Sequence, residues 1–237
     1  MKVVTKEKKQ ATDTGNVGPR IISVSNSKGG VGKSVITILL ATALAKDKNK
    51  KVLIIDCDSQ GSVTDMYNRE MSFQEGDPAI EVEELAPRKV QTFIRRFGND
   101  YDIIFIDVPR MTDGRKDQST VMLLYNCDAI LVPVIGSEVD VLSSLDFLSL
   151  VEQAAKEKEE MGESIDYYGF INRRNQRKSN RQAQEQMQKS GLNMFKNSLS
   201  DLSIFTNPSF YKSIMASAEG ERRFGEFFKE FKLKFNL

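Results

Sequence analysis

Short, nearly continuous runs of apolar and β-branched residues recur along the chain, each closed off by polar turns. Four of them, residues 21–24, 52–55, 103–106 and 129–134, read as strands buried on both faces, because a strand with one wet face would alternate apolar and polar positions. Helix-length segments with apolar residues at helical spacing lie between or after them, at 33–46, 89–97 and 140–156. A further apolar stretch, 167–171, predicts another strand, and helical patterns at 179–189 and 209–233 close the chain. Strands alternating with helices predict an α/β fold: a mostly parallel twisted sheet with helices on both faces. No internal repeat or low-complexity segment interrupts the order. Residues 1–19 carry charge, Thr, Gly and Asn without periodic apolar positions and read as a flexible N-terminal tail, so a single domain is expected over 20–237.

At 237 residues, 40% hydrophobic and 28% charged, the chain has the composition of a folded globular domain with a sizeable core. No apolar run approaches the roughly 20 residues of a membrane span, and the polar start lacks the apolar stretch of a secretory signal, so a cytoplasmic protein is expected. There is no histidine. That removes Ser-His-Asp hydrolysis, Cys-His catalysis and His-ligated zinc, and leaves carboxylates, lysines and a nucleotide-bound metal as candidate chemistry. Cys57 and Cys127 lack metal-ligand spacing and read as buried thiols. The net charge of +1 is unevenly spread: residues 167–237 hold 13 Lys and Arg against 6 Asp and Glu, so a basic face is expected in the C-terminal third.

In open α/β sheets, ligands bind beyond the carboxyl ends of the strands, and Lys28, Asp56, Asp58 and Asp107 all fall at such ends. Residues 28–34, K-G-G-V-G-K-S, follow a strand and open a helix. Gly29, Gly30 and Gly32 let the backbone, with Val31, curl around phosphate oxygens at the positive end of that helix. Lys33 is placed to reach the β- and γ-phosphates of ATP, and Ser34 to put its hydroxyl on Mg²⁺. The first glycine of the usual G-x-x-x-x-G-K-[ST] loop is replaced here by Ser27, and a second lysine, Lys28, follows it.

This loop resembles the deviant Walker A motif of the ParA/MinD superfamily of P-loop ATPases, closest to the small ParA-like partition and positioning proteins. Residues 56–62, D-C-D-S-Q-G-S, look like the family stretch D-x-D-P-Q-G-[NS], and residues 101–107, Y-D-I-I-F-I-D, are similar to its Walker B strand. The resemblance implies an ATPase with ATP and Mg²⁺ as cofactors and a homodimer that forms on ATP binding. In that dimer Lys28 would act on the partner's nucleotide, Asp58 would position the attacking water, and Asp107 would sit near Mg²⁺. Asp56 would support the metal shell and the loop, or cap the following helix. Gly169 to Arg173 resembles a strand end that uses an asparagine to read adenine, which assigns that role to Asn172. Four departures stand out: Ser59 for a proline, Arg110 and Met111 after the Walker B strand, and Val35 for a second hydroxyl of the loop. Losing that hydroxyl would cost about 1 kcal/mol of nucleotide affinity.

What the ATP switch controls is read from the remaining surface. Arg173, Arg174, Arg177, Lys178 and Arg181, interleaved with Asn and Gln, suit phosphate-backbone contacts with nonspecific double-stranded DNA, and Arg222 and Arg223 could extend the patch. The expected protein is then nucleoid-associated, with a ParB-like or other cargo adaptor as partner. Phe224, Phe227, Phe228, Phe231 and Phe235 recur at helical spacing with Lys229, Lys232 and Lys234 among them. They read first as a helix docked on the domain's own core, next as a membrane-surface helix of the MinD kind, and third as a partner-binding face. A MinD-like membrane-cycling ATPase and a nucleotide-gated scaffold with negligible turnover are the alternatives. Operator-specific repression is not expected, since no helix-turn-helix precedes the loop.

Overall fold

The apolar runs form the strands they predict, extended by a residue at several ends. The computed structural model describes residues 18–47, 50–109, 118–136, 138–173 and 178–237. Six strands, β1 (Arg20–Val24), β2 (Val52–Asp56), β3 (Glu81–Glu84), β4 (Ile103–Asp107), β5 (Ala129–Val134) and β6 (Asp166–Ile171), form one sheet. Their spatial order is β3-β2-β4-β1-β5-β6, and every neighbouring pair is parallel. The register aligns Asp56 with Asp107 at the carboxyl ends of β2 and β4. Most of the expected N-terminal tail lies outside the described residues.

Among the described residues seven α-helices cover the sheet: α1 (Lys33–Asp47), α2 (Ser62–Met71), α3 (Pro87–Phe97), α4 (Gln118–Tyr125), α5 (Glu138–Glu159), α6 (Lys178–Lys189) and α7 (Ala218–Phe235). Alternate side chains of the central strands feed two cores. Ile22, Val24, Ile54 and Phe105 pack with α1 and α7, whereas Leu53, Ile55, Ile104 and Ile106 pack with α3, α4, α5 and α6. This is the two-faced burial that continuous apolar strands require.

Three elements, α2, β3 and α4, have no counterpart in the pattern reading. Strand β3 is the edge, with three exposed glutamates and only Val82 turned partly inward, so it carries no apolar run; charge at an edge strand also discourages pairing with other chains. Helix α2 buries only Val63. Helix α4 spans eight residues, too few for periodicity to separate helix from strand.

The C-terminal pattern starts later than expected. Residues 209–217 hold only one short 3₁₀ turn, Ile214–Ala216, and the α-helix begins after Ser217, whose hydroxyl accepts a hydrogen bond from the Gly220 amide at 3.0 Å. Of the three readings of its phenylalanines the structure selects the core. Phe224, Phe227, Phe228, Phe231 and Phe235 are all 2% exposed or less, which leaves no aromatic face for a membrane. Phe227 alone meets the rings of Phe170, Phe195 and Phe224 at centroid distances of 4.8, 5.6 and 5.6 Å. Among the described residues no helix is long and apolar enough to cross a membrane.

This packing predicts that Phe227→Ala lowers the unfolding free energy by about 3–5 kcal/mol in denaturant titration. Leu233→Ser, on the exposed side of the same helix, should change it by less than about 0.5 kcal/mol.

Candidate functional site

The turn that leaves β1 is possible only with glycine at two positions. Gly30 and Gly32 have φ of 75° and 94°, in the left-handed region. A Cβ on Gly32 would also lie 2.6 Å from Nδ2 of Asn172. The Gly32 carbonyl then accepts the first helical bond, from the Ile36 amide at 2.9 Å, and α1 starts with its positive end at the loop. Lys33 is 7% exposed, and its Nζ arches back to donate to the Lys28 carbonyl at 3.1 Å, lying across the curl it belongs to.

Beside the loop, Ser34 Oγ donates to Asp107 Oδ2 at 2.8 Å. Asp107 is 1% exposed and its other oxygen, Oδ1, is buried with no hydrogen-bond partner. Burial above all, with the charges of Asp56 and Asp58, holds the carboxyl up at about 7 against the opposing bond from Ser34 and charge of Lys33. An unpartnered, buried carboxylate oxygen next to a hydroxyl is a donor set that suits a hard divalent cation, which would also hold Asp107 ionised. No group of three or more metal-ligating side chains occurs among the described residues. A cation here would therefore complete its shell with nucleotide oxygens and water, as Mg²⁺ does.

Asp56 is engaged by the chain that follows it. Its Oδ2 accepts from the Val63 amide at 3.2 Å and from the Thr64 amide and hydroxyl at 2.9 and 3.0 Å, and Oδ1 accepts from the Asp58 amide at 3.1 Å. Three donors at the start of α2 and the Asp58 amide occupy the carboxylate, so Asp56 caps that helix and holds the turn. Asp58, half-buried, accepts from the Gln60 amide at 3.0 Å and heads the tight turn into α2.

The loop is also tied sideways to α5, which the sequence did not reveal. Asn26, 1% exposed, donates through Nδ2 to the Pro133 carbonyl and to Ser144 Oγ, both at 2.8 Å, and its Oδ1 accepts from the Lys28 amide at 3.2 Å. Ser27 Oγ donates to the Ser143 carbonyl at 2.7 Å, and Lys28 Nζ lies 3.4 Å from Asp140. Ser27, the residue in place of a glycine, is thus a fastening point. Asp140, Ser143 and Ser144 share one face of α5 by their spacing. The only signal of Asn26 in the sequence is its position just beyond a strand end.

Asn172 lies against the loop. Its Nδ2 donates to the Val31 carbonyl at 2.7 Å and the side chain is 6% exposed, packed under the loop against Gly32. It braces the phosphate loop through that bond.

Among the basic residues, Arg174, Arg177 and Arg110 lie outside the described residues. Arg173 is exposed with φ of 51°, Lys178 is exposed at the start of α6, and Arg181 pairs with Glu185 at 3.0 Å. Arg222, 3.8 Å from Glu219, and Arg223 sit on α7. Helices α6 and α7 pack on opposite faces of the sheet, so these two arginines do not continue the α6 patch on one helical layer.

Comparison with known proteins agrees with this geometry. A family model described as the CobQ/CobB/MinD/ParA nucleotide binding domain matches residues 22–215. A maintenance of carboxysome distribution protein A from Gloeobacter kilaueensis is 31% identical over 122 residues, 52% of this chain and 52% of that protein. The chain thus spans about half the length of the curated relatives it matches. Among solved structures, an ATP complex of a Cyanothece McdA variant superposes with a TM-score of 0.68 at 16% identity, covering 93% of this chain and 97% of the other. A plasmid partition protein from Borrelia burgdorferi gives 0.66 at 19% identity, covering 91% and 99%. These likenesses fix the fold.

The capping role of Asp56 predicts that Asp56→Ala lowers stability by about 1–3 kcal/mol in the absence of nucleotide and magnesium, because buried donors lose their acceptor. A metal ligand would instead leave metal-free stability unchanged or raised. Thermal unfolding in EDTA distinguishes the two.

Proposed function

The chain belongs to the CobQ/CobB/MinD/ParA family of nucleotide-binding domains, and from that premise we propose that it is a ParA-like ATPase that positions or segregates a cargo. The observation that carries the reading is the Ser34–Asp107 pair, with Asp107 Oδ1 unpartnered beneath a loop that Lys33 lies across. Mg²⁺·ATP would supply the reacting phosphoryl group and the charge that neutralises its oxygens. The loop backbone from Gly29 to Gly32 and Lys33 would hold the phosphates, and Ser34 and Asp107 would hold the cation. Asp58 orients the attacking water from its turn, a task of positioning more than of bond making. Lys28 leaves Asp140 to reach the nucleotide of a second copy, so that ATP closes a homodimer.

The dimer binds nonspecific double-stranded DNA through the cluster Arg173, Arg174, Arg177, Lys178 and Arg181, and a ParB-like or other adaptor stimulates hydrolysis and resets it. The relatives named for carboxysome distribution and plasmid partition favour a cargo of that scale, carried on the nucleoid in the cytoplasm. Burial of the α7 phenylalanines weighs against a MinD-like membrane helix.

Gel filtration with ATP should bring the Asp58→Ala variant out as a dimer, with turnover lowered about 10²-fold by loss of water positioning. Only monomers would refute the shared site. A DNA mobility shift should weaken with salt and disappear when Arg173, Arg174 and Arg177 are replaced by Glu. A shift that survives the replacement would refute the patch.

A further inference from the structure

Far from the phosphate loop, the end of α1, the segment before α7 and α7 itself border an open cleft of about 690 Å³. That is the size of pockets that take a peptide side chain or a small ligand. Its apolar lining comes from Tyr211, Met215 and Ala216, over Phe228, which is itself 2% exposed. Lysines stand around it: Lys46 at the end of α1, Lys212 in the segment before α7, and Lys229 and Lys232 on α7. Two of these are already engaged. Lys229 meets Glu226 at 2.7 Å, and Lys232 meets Asp47 at 2.6 Å while lying 4.8 Å from the centre of the Phe228 ring. Lys46 and Lys212 are exposed and have no acidic partner among the described residues. Within the lining, Asp47 and Glu221 are the only acids.

The walls are anchored, so the cleft is a built feature. Glu70 of α2 accepts from Ser209 Oγ at 2.6 Å and from the Phe210 amide at 2.8 Å, and Tyr67 stacks edge-on against Phe210 at 5.2 Å. Ser213 Oγ accepts from the Met215 amide at 3.2 Å, and Ala79 donates to the Phe210 carbonyl at 2.8 Å. Leu233, 76% exposed, lies one turn beyond Lys229 on α7.

We propose that this cleft is the docking site for an acidic peptide segment of a partner protein, with one aromatic or large aliphatic side chain inserted between Tyr211, Met215 and Ala216 and flanking carboxylates paired to Lys46 and Lys212. The apolar lining supplies a pocket for an anchor residue, and the two unpartnered lysines supply charge complementarity. The site adjoins the far end of α1, whose other end is the phosphate loop, and the segment held by α2, whose other end is capped by Asp56.

Fluorescence anisotropy of a labelled synthetic peptide, a single Phe flanked by Glu residues, tests the site on the full chain. Saturable 1:1 binding is expected, weakened at least ten-fold in the double variant Lys46→Glu, Lys212→Glu and in Met215→Glu, with circular dichroism confirming that both are folded. The same double variant should gain affinity for the matching Lys-flanked peptide, which a merely unfolded or nonspecific surface would not do. Absence of binding by the wild-type chain at millimolar peptide, or binding indifferent to both variants, would overturn the proposal. Displacement of the peptide by a short DNA duplex that depends on Lys46 and Lys212 would assign the lysines to nucleic acid and overturn it as well. Concentration-dependent self-association lost in the same variants would make the occupant a second copy, with the same consequence.

Discussion

A carboxylate that is 1% exposed, with one oxygen held by Ser34 and the other by nothing, is the constraint around which this molecule is arranged. Burial without a full set of donors is costly, and it above all holds the Asp107 carboxyl up at about 7. The fold keeps it because β4 lies in the middle of a sheet buried on both faces, with β1 and the loop on one side and β2 and Asp56 on the other. Every neighbouring polar group then has a narrow choice of partner. Asp56 is taken by the start of α2, Lys33 by the loop carbonyl, and Ser34 by Asp107 itself. What remains open in that arrangement is a place for a hard cation and the phosphates it accompanies.

The phosphate loop does not hold its shape by glycine alone. Asn26 joins it to β5 and α5, Ser27 and Lys28 add two contacts to the same helix, and Asn172 presses up from the end of β6. A loop braced from three elements is preorganised for an anion, which lowers the ordering cost of binding. It is also mechanically connected to α5, so that movement of Lys28 away from Asp140 would be felt along one face of that helix.

How much of this was legible in the sequence depended on range. Ser34, Lys33 and Asp107 could be read because strand, loop and helix follow one another locally and the apolar runs mark where the strands end. The fastening by Asn26 could not, since its partners lie 107 and 118 residues away and nothing in the residue itself announces them. Asp56 was ambiguous because a metal ligand and a helix cap call for the same carboxylate at the same strand end, and only the four donors around it reveal the cap. The bracing contact of Asn172 was hidden for a related reason: an amide at a strand end can face a base or a backbone, and here the missing side chain of Gly32 makes room for it beneath the loop. Strand β3 and helix α2 escaped notice because each buries a single apolar residue or only part of one. In contrast, the phenylalanines of α7, whose spacing is as amphipathic as that of a surface helix, are settled by their neighbours in the core.

The central claim is that Ser34, Asp107 and the braced loop form a site for a nucleotide with its divalent cation. Isothermal titration of ATP into the wild-type chain, with Mg²⁺ and again in EDTA, tests it most directly. Saturable binding that weakens at least ten-fold without Mg²⁺ and is lost in Lys33→Ala is the predicted result. Binding that ignores both the metal and Lys33, or no binding at all, would contradict it.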